Sequence, residues 1–212
     1  MTKEELVLRL EALKRSDVGE IVKKKMEEFR SFSEKPDEEW FSELCFCILT
    51  ANSSAKVGIK VQMGLGWEGF LNLPRKSLIK KLKELGYRFY NRRAEYIIEA
   101  RKFWKIKNLL KDFKKAEDAR EWLVEKIRGL GYKEASHFLR NVGYTNNLAI
   151  LDRHVLKTLY EYKLVSKLPK NLTRKTYLNL EMILRKFAKE ACLTVAELDL
   201  YLWYLKTGTV LK

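Results

Sequence analysis

The sequence has little of what interrupts or staples a chain: 3 Pro, 10 Gly, 3 Cys and a single Gln among 212 residues. Cys45, Cys47 and Cys192 are odd in number and too few for a disulfide framework, so they are expected as reduced core thiols of a cytosolic protein. No uninterrupted apolar run approaches 18 residues, and no transmembrane helix is expected. The opening Met1-Thr2-Lys3-Glu4-Glu5 begins a polar amphipathic stretch and lacks the apolar centre of a signal peptide. Sustained two-residue alternation is also missing, so strands are not expected. There is no low-complexity segment and no clear internal repeat.

What is present is apolar and basic. Hydrophobic residues make up 46% of the chain against 33% charged, enough apolar surface to offset chain entropy, which excludes disorder. The length suits one globular unit or two small lobes sharing a core. Lys and Arg total 43 against 28 Asp and Glu, a net charge of +15. On a folded chain that surplus points to a polyanionic partner, most simply nucleic acid. Abundant Lys and Glu beside one Gln (Gln62) lean towards a thermophilic source.

Apolar residues recur at three- and four-residue spacing almost throughout, which predicts an all-α fold. Leu6, Leu8, Leu10 and Leu13 open one amphipathic helix, and Ile21, Val22, Met26 and Phe29 mark a second. After a break at 33–36, Asp37-Glu38-Glu39 is an acidic first turn suited to a helix N-terminus, and Trp40 to Leu49 reads as a buried helix. The serines of Ala51-Asn52-Ser53-Ser54 can cap a helix over roughly 55–63. Gly64, Gly66 and Gly69 then punctuate a turn. Pro74 starts a helix to about Leu85, and Asn91 can cap another that runs to about Ile106. Further helices are expected near 116–127, from there to Gly143, from Asp152, and near 174–190 and 194–206. Thr194-Val195-Ala196-Glu197 has the form of a capping box.

The informative stretch is Ile127-Arg128-Gly129-Leu130-Gly131-Tyr132-Lys133-Glu134-Ala135. Two helical patterns flank a Gly-x-Gly turn, and Ala135 is small enough for close helix packing. Glycines admit positive φ and let the backbone approach a ligand closely. Exposed amides at the start of the second helix can then hold a phosphate, a sequence-independent grip on DNA. Taken alone, the same glycines serve an ordinary helical hairpin. Lys133 alone reads equally as one more surface lysine, and Asp152 alone as an N-cap.

Taken together, these residues resemble the helix-hairpin-helix DNA glycosylase superfamily, whose bifunctional members carry a Lys just after the Gly-x-Gly and an Asp 19 positions further on. Here Lys133 is followed, 19 residues later, by Asp152 in Ala149-Ile150-Leu151-Asp152-Arg153-His154-Val155. The compact length and the ending Lys206-Thr207-Gly208-Thr209-Val210-Leu211-Lys212 are most similar to the type-2, archaeal-type 8-oxoguanine DNA glycosylase/AP lyase branch. The resemblance implies base excision. Lys133 would attack C1′ of the deoxyribose to give a Schiff base, which requires the neutral amine that desolvation or neighbouring positive charge favours. Asp152 would stabilise oxocarbenium charge or accept a proton. The Schiff base acidifies C2′, and β-elimination then cleaves the strand.

The same resemblance assigns the remaining candidates. The main-chain carboxylate of Lys212 would enter the base pocket and distinguish 8-oxoguanine, which carries a hydrogen on N7, from guanine. Phe89 and Trp203 match the aromatics that stack on the extruded base; by sequence alone both equally suit core packing. Gly129, Gly131 and His154 would contact phosphates; by sequence alone His154 also fits a structural histidine at a helix start. Asn52 would enter the gap left by the flipped nucleotide, though its serine neighbours equally fit a capping loop. His137 receives no role.

Two helical lobes with a DNA cleft between them are expected. One spans 32–143, with the helix-hairpin-helix at about 116–143. The other comprises 1–31 plus 144–212 and carries Asp152 and the C-terminal base-pocket segment. The resemblance implies as partner double-stranded DNA containing 8-oxoguanine or abasic sites, and a monomer in a prokaryotic cytoplasm at the nucleoid, with no membrane association, is expected. Related branches close with four cysteines around an iron–sulfur cluster; Cys192 stands alone near the end, so no cofactor and no metal are expected. Competing readings are a glycosylase/lyase for oxidised pyrimidines and a non-catalytic helix-hairpin-helix DNA-binding module.

Overall fold

Helix starts are set by side-chain oxygens placed just ahead of apolar stripes. Thr2, Ser54, Asp152, Thr173 and Thr194 each accept a backbone N–H from the turn that follows, satisfying amides that have no partner within the helix. The computed structural model describes residues 1–212 as twelve α-helices with no strand. They are α1 (Lys3–Lys14), α2 (Asp17–Phe32), α3 (Asp37–Thr50), α4 (Ala55–Asn72), α5 (Arg75–Glu84), α6 (Tyr90–Ala100), α7 (Ile106–Leu110), α8 (Ala116–Lys126), α9 (Tyr132–Asn141), α10 (Arg153–Glu161), α11 (Arg174–Glu190) and α12 (Val195–Thr207). The chain forms two compact units, Phe32–Val142 and Met1–Ser31 with Gly143–Lys212.

Unit Phe32–Val142 is built around α3, whose residues from Trp40 to Thr50 are all buried. A helix apolar on every side has to be surrounded, and α4, α6, α7 and α9 pack on it. Each fully buried Leu, Ile or Phe there contributes about 1.5–3 kcal/mol of transfer free energy. One carboxylate shares this core. Glu43 accepts from Gln62 Nε2 on α4 at 3.0 Å and from Asn141 Nδ2 on α9 at 2.7 Å, so its burial is compensated. At the start of α3, Asp37 accepts from the Lys107 amide at 3.1 Å and Asn108 Nδ2 at 2.9 Å, tying down α7.

Unit Met1–Ser31 with Gly143–Lys212 joins α1 and α2 to α10–α12. Arg9 donates to the Tyr162 hydroxyl, Lys14 donates to the Ala191 carbonyl at 3.2 Å, and Lys3 pairs with Glu190. Gly143 (φ +70°) abuts α2 so closely that a Cβ would lie 2.2 Å from the Phe29 carbonyl oxygen. No other residue fits there without displacing backbone.

Five sequence expectations change. Helix α4 runs through Gly64 and Gly69 to Asn72, and only Gly66 leaves helical geometry (φ 61°, ψ 178°), which kinks the helix without ending it. The cap position of α6 is Phe89, so Asn91 lies inside the first turn and caps nothing. That helix stops at Ala100 and tightens into a 3-10 turn over Arg101–Phe103. The turn delivers the Arg101 guanidinium to the Phe70 and Leu73 carbonyls at the end of α4, at 2.8 and 2.7 Å. Cys192 is not a core thiol. It is exposed with φ 52°, just past α11, where Leu193 N–H closes onto the Ala188 carbonyl at 2.9 Å in a Schellman-type stop. Cys45 and Cys47 are buried, and burial pushes the Cys45 thiol well up. Leu8 and Ile21 fall outside the buried stripes and are exposed.

Helix α10 is joined to α12 by Glu161, which pairs with Lys206 and, at 3.6 Å, with Lys157. The Lys206 ammonium is the main reason that the Glu161 carboxyl lies below its ordinary value of 4.5. A depressed carboxylate stabilises the fold above its unfolded value, and that contribution drains as pH falls through the lowered folded value. Lys206→Met is therefore expected to be less stable than the parent at pH 7, with the gap shrinking below pH 4.5. Urea unfolding at pH 7 and pH 3 checks this; an equal gap at both pH values contradicts it.

Candidate functional site

In unit Phe32–Val142, α8 and α9 form a hairpin whose turn is pinned by apolar residues: Ile127 is 1% and Leu130 6% exposed. The pair is locked by Arg120 of α8, which is fully buried. It donates to Ser136 Oγ on α9 at 3.2 Å and lies 5.4 Å from the Tyr132 ring centroid. Tyr132 in turn donates to Glu121 at 2.5 Å. Ala135 is completely buried at the crossing. The expected tight turn is present: Gly129 has φ +95°, and a Cβ there would meet the Tyr96 ring at 2.4 Å.

Gly131 is the N-cap of α9, and its N–H donates to Glu134 Oε2 at 3.1 Å. The other oxygen of the same carboxylate, Oε1, lies 3.0 Å from Lys133 Nζ. The lysine thus leaves the first turn of α9 already oriented by its neighbour, with 23% of its side chain accessible. Gly131 and Lys133 are brought together through one carboxylate.

Helix α6 organises the rest of this face. Its Tyr96 ring, already against Gly129, lies 4.9 Å from the Arg128 guanidinium and 5.4 Å from that of Arg93. Arg128 also binds Glu95 and Glu99, each at 2.8 Å. Arg93, 7% exposed, donates to the Ala51 carbonyl at 2.7 Å, while Tyr87 donates to the Leu49 carbonyl at 2.6 Å. These bonds hold the end of α3, and Asn52 follows directly, exposed and in the left-handed region (φ 59°). Capping of α4 falls to Ser54, which leaves the Asn52 side chain out of that task. A non-glycine left-handed residue costs about 1–3 kcal/mol, strain of the kind found at functional positions. Phe89 sits half-buried at the head of α6, with the Arg88 guanidinium 4.5 Å from its ring centroid.

In the other unit, Asp152 caps α10. Its Oδ1 accepts from the amides of His154 and Val155, both at 2.8 Å, and its Oδ2 has no hydrogen bond within the protein. The His154 ring meets Trp203 of α12 edge-on, with centroids 5.0 Å apart. Trp203 is half-buried, and its indole N–H is buried without a partner. At the end of α12 the Thr207 hydroxyl donates to the Trp203 carbonyl at 2.9 Å, and the chain ends at half-buried Lys212. Asp152, His154 and Trp203 are therefore linked directly. His137 is buried edge-on to Phe46 at 5.6 Å. No three His, Cys, Asp or Glu side chains converge on a point where a metal could bind.

Sequence reasoning missed Tyr96, Arg93 and Arg128 as supports of the hairpin and of the Asn52 turn. The one usable signal was Gly129 itself, since a glycine required by close approach implies a bulky neighbour; nothing local says which.

An all-helical chain with a glycine hairpin and a lysine in the first turn of the hairpin's second helix has the helix-hairpin-helix fold of DNA glycosylases. The family model for 8-oxoguanine DNA glycosylase matches residues 22–193, and the chain belongs to that family. It is 54% identical over 207 residues, covering 98% of this chain and 99% of the relative, to the 8-oxoguanine DNA glycosylase/AP lyase of Methanocaldococcus jannaschii. Identity to the 8-oxoguanine DNA glycosylase/AP lyase of Korarchaeum cryptofilum is 46% over 210 residues, 99% of each chain. A crystal structure of the M. jannaschii 8-oxoguanine glycosylase/lyase in complex with a 15mer DNA containing 8-oxoguanine superimposes with a TM-score of 0.95 at 53% identity, covering 98% of this chain and 100% of that one.

Because Gly129 is both left-handed and pressed on Tyr96, Gly129→Ala is expected to displace the hairpin turn. Duplex affinity is expected to fall about tenfold, the size expected if the turn holds one phosphate through a charge-assisted bond. Lesion and normal duplexes should be affected equally. Fluorescence anisotropy with both duplexes tests this; unchanged affinity contradicts it.

Proposed function

We propose that this protein removes 8-oxoguanine from duplex DNA and then cleaves the abasic strand. The observation that carries the reading is Lys133, an amine set in the first turn of the hairpin's second helix in a chain 54% identical, end to end, to a known 8-oxoguanine DNA glycosylase/AP lyase.

Lys133 Nζ leaves its ion pair with Glu134, releases a proton to solvent and, as the neutral amine, attacks C1′. The C1′–N9 bond breaks as the Nζ–C1′ bond forms, and the base departs with the bonding pair and takes up a proton. A proton passes from Nζ to O4′ as the C1′–O4′ bond opens, giving the protonated Schiff base between C1′ and Nζ. Loss of a C2′ proton to water then expels the 3′-phosphate with the electrons of its C3′–O bond, which is β-elimination. Asp152 offsets positive charge on the sugar as the base leaves. Its uncommitted Oδ2 is the oxygen available for that work.

The backbone at Gly129 and Gly131 and the His154 ring hold phosphates. Asn52 occupies the space vacated by the flipped nucleotide, and its strained backbone supports that role. Phe89 and Trp203 stack on the extruded base. The terminal carboxylate of Lys212 accepts from the N7–H of 8-oxoguanine and meets only a lone pair on guanine, leaving buried polar groups unpaired in the wrong complex. The protein works as a monomer, on chromosomal DNA in a prokaryotic cytoplasm; the archaeal relatives support that setting. No helix is long and apolar enough to cross a membrane.

Borohydride trapping on an 8-oxoguanine duplex tests the nucleophile. The parent should give a covalent adduct and Lys133→Gln none, with duplex affinity kept within about threefold; an undiminished adduct removes Lys133 from the role. For Asp152→Asn, single-turnover excision should fall about 100-fold or more with binding largely kept. An excision rate equal to the parent's ends its assignment.

A further inference from the structure

The segment that delivers Asp152 is neither helix nor strand, yet it is buried: Leu148, Ala149, Ile150 and Leu151 are 2%, 0%, 7% and 2% exposed. Irregular backbone in that setting has to find partners for its amides and carbonyls. They come from two side chains of α11, Tyr177 and Glu181, one turn apart on a single face. Glu181 Oε2 accepts the Ala149 N–H at 2.9 Å, and the Tyr177 hydroxyl donates to the Ala149 carbonyl at 2.6 Å. The same hydroxyl accepts the Leu151 N–H at 3.4 Å. Arg185, a further turn along, donates to Glu181 Oε1 at 3.1 Å and fixes the carboxylate in turn.

We propose that Tyr177 and Glu181 are positioning residues for the Asp152 carboxylate. Upstream, α11 grips both polar groups of Ala149 and the amide of Leu151. Asp152 N–H itself donates back to the Ile150 carbonyl at 2.9 Å, and downstream Oδ1 is fastened to the first turn of α10. The carboxylate is thereby fixed from both sides. Burying Glu181, at 3% exposure, is an expensive way to secure a loop that apolar packing would hold as well. What it adds is a defined backbone position, and catalytic groups displaced by about 1 Å lose about 100-fold in rate. Neither residue is asked to touch DNA.

The inference rests on the reading of Asp152 given above. Its test measures single-turnover excision of 8-oxoguanine and lesion-duplex affinity for Tyr177→Phe, Glu181→Gln and Asp152→Asn, and for Tyr177→Phe combined with Asp152→Asn. Tyr177→Phe should excise about tenfold more slowly with unchanged affinity, because it deletes two of the three bonds. Glu181→Gln should lose less, because a Gln oxygen can still accept from Ala149. In the double variant, Tyr177→Phe should add no further loss, since there is no carboxylate left to place. Parent-like excision by both Tyr177→Phe and Glu181→Gln overturns the proposal, as does a loss that multiplies in full with that of Asp152→Asn. Circular dichroism and thermal unfolding confirm the native fold. If Tyr177→Phe does not fold, Glu181→Gln and its double variant with Asp152→Asn decide the question on the same criteria. Parent-like excision by Asp152→Asn itself overturns the Asp152 reading, and this inference with it.

Discussion

Buried backbone in the last turn of a helix or outside one lacks partners within a helix, and side chains from a neighbouring helix must supply them. Both units of this chain depend on that constraint. At the end of α3, the carbonyls of Leu49 and Ala51 are taken by Tyr87 and Arg93, and the exposed left-handed Asn52 comes next. Ahead of α10, the polar groups of Ala149 and Leu151 are taken by Tyr177 and Glu181, and Asp152 comes next. In each case the clamp acts on residues just before the candidate and leaves its side chain available. A helix carries no such exit point, because its backbone is already satisfied; the turns where chemistry is proposed had to be built from outside.

The same logic changes the meaning of the basic surplus. Arg93, Arg101 and Arg120 serve the interior, donating to carbonyls or a hydroxyl and stacking on rings. Several lysines are matched by glutamates one turn away, as in Lys23 with Glu20 and Lys14 with Glu11. Such exposed pairs contribute little stability, but they reduce the charge that a phosphate backbone would feel. Net charge of +15 therefore overstates the number of cations that face DNA. Lys133 is a case in point: its partner is the carboxylate that also holds Gly131.

Local signals were legible in the sequence. The 3.6-residue stripes, the Thr and Ser caps and the glycine hairpin each act over a few residues, and each appears in the structure at or near the place that the sequence indicated. The turn at Gly129 was readable because its backbone demands glycine. What the sequence could not show was pairing at a distance. Nothing around residue 129 announces Tyr96, and nothing around residue 149 announces Tyr177 or Glu181. The failures have the same origin. Gly64 and Gly69 look like breakers, yet their small size suits close packing, since a Cβ would lie 3.0 Å from Leu85 and 3.1 Å from Leu65. Cys192 looks apolar by composition, but the stop of α11 turns it outwards. Family resemblance, unlike periodicity, carries information on distant partners, and it was the only route from the sequence to Phe89, Trp203 and Lys212.

Asp152 shows how a structural role and the chemical role proposed for it can share one side chain. A helix cap needs a single acceptor oxygen, and Oδ1 fills that place with two amides at 2.8 Å. The cap engages only that oxygen. It also immobilises the side chain and leaves Oδ2 uncommitted. The observed N-cap and the proposed catalytic carboxylate are thus not competing explanations of this residue. Asparagine is a comparably good N-cap, which makes the Asn variant a removal of charge with the helix start retained, whereas alanine would remove both at once.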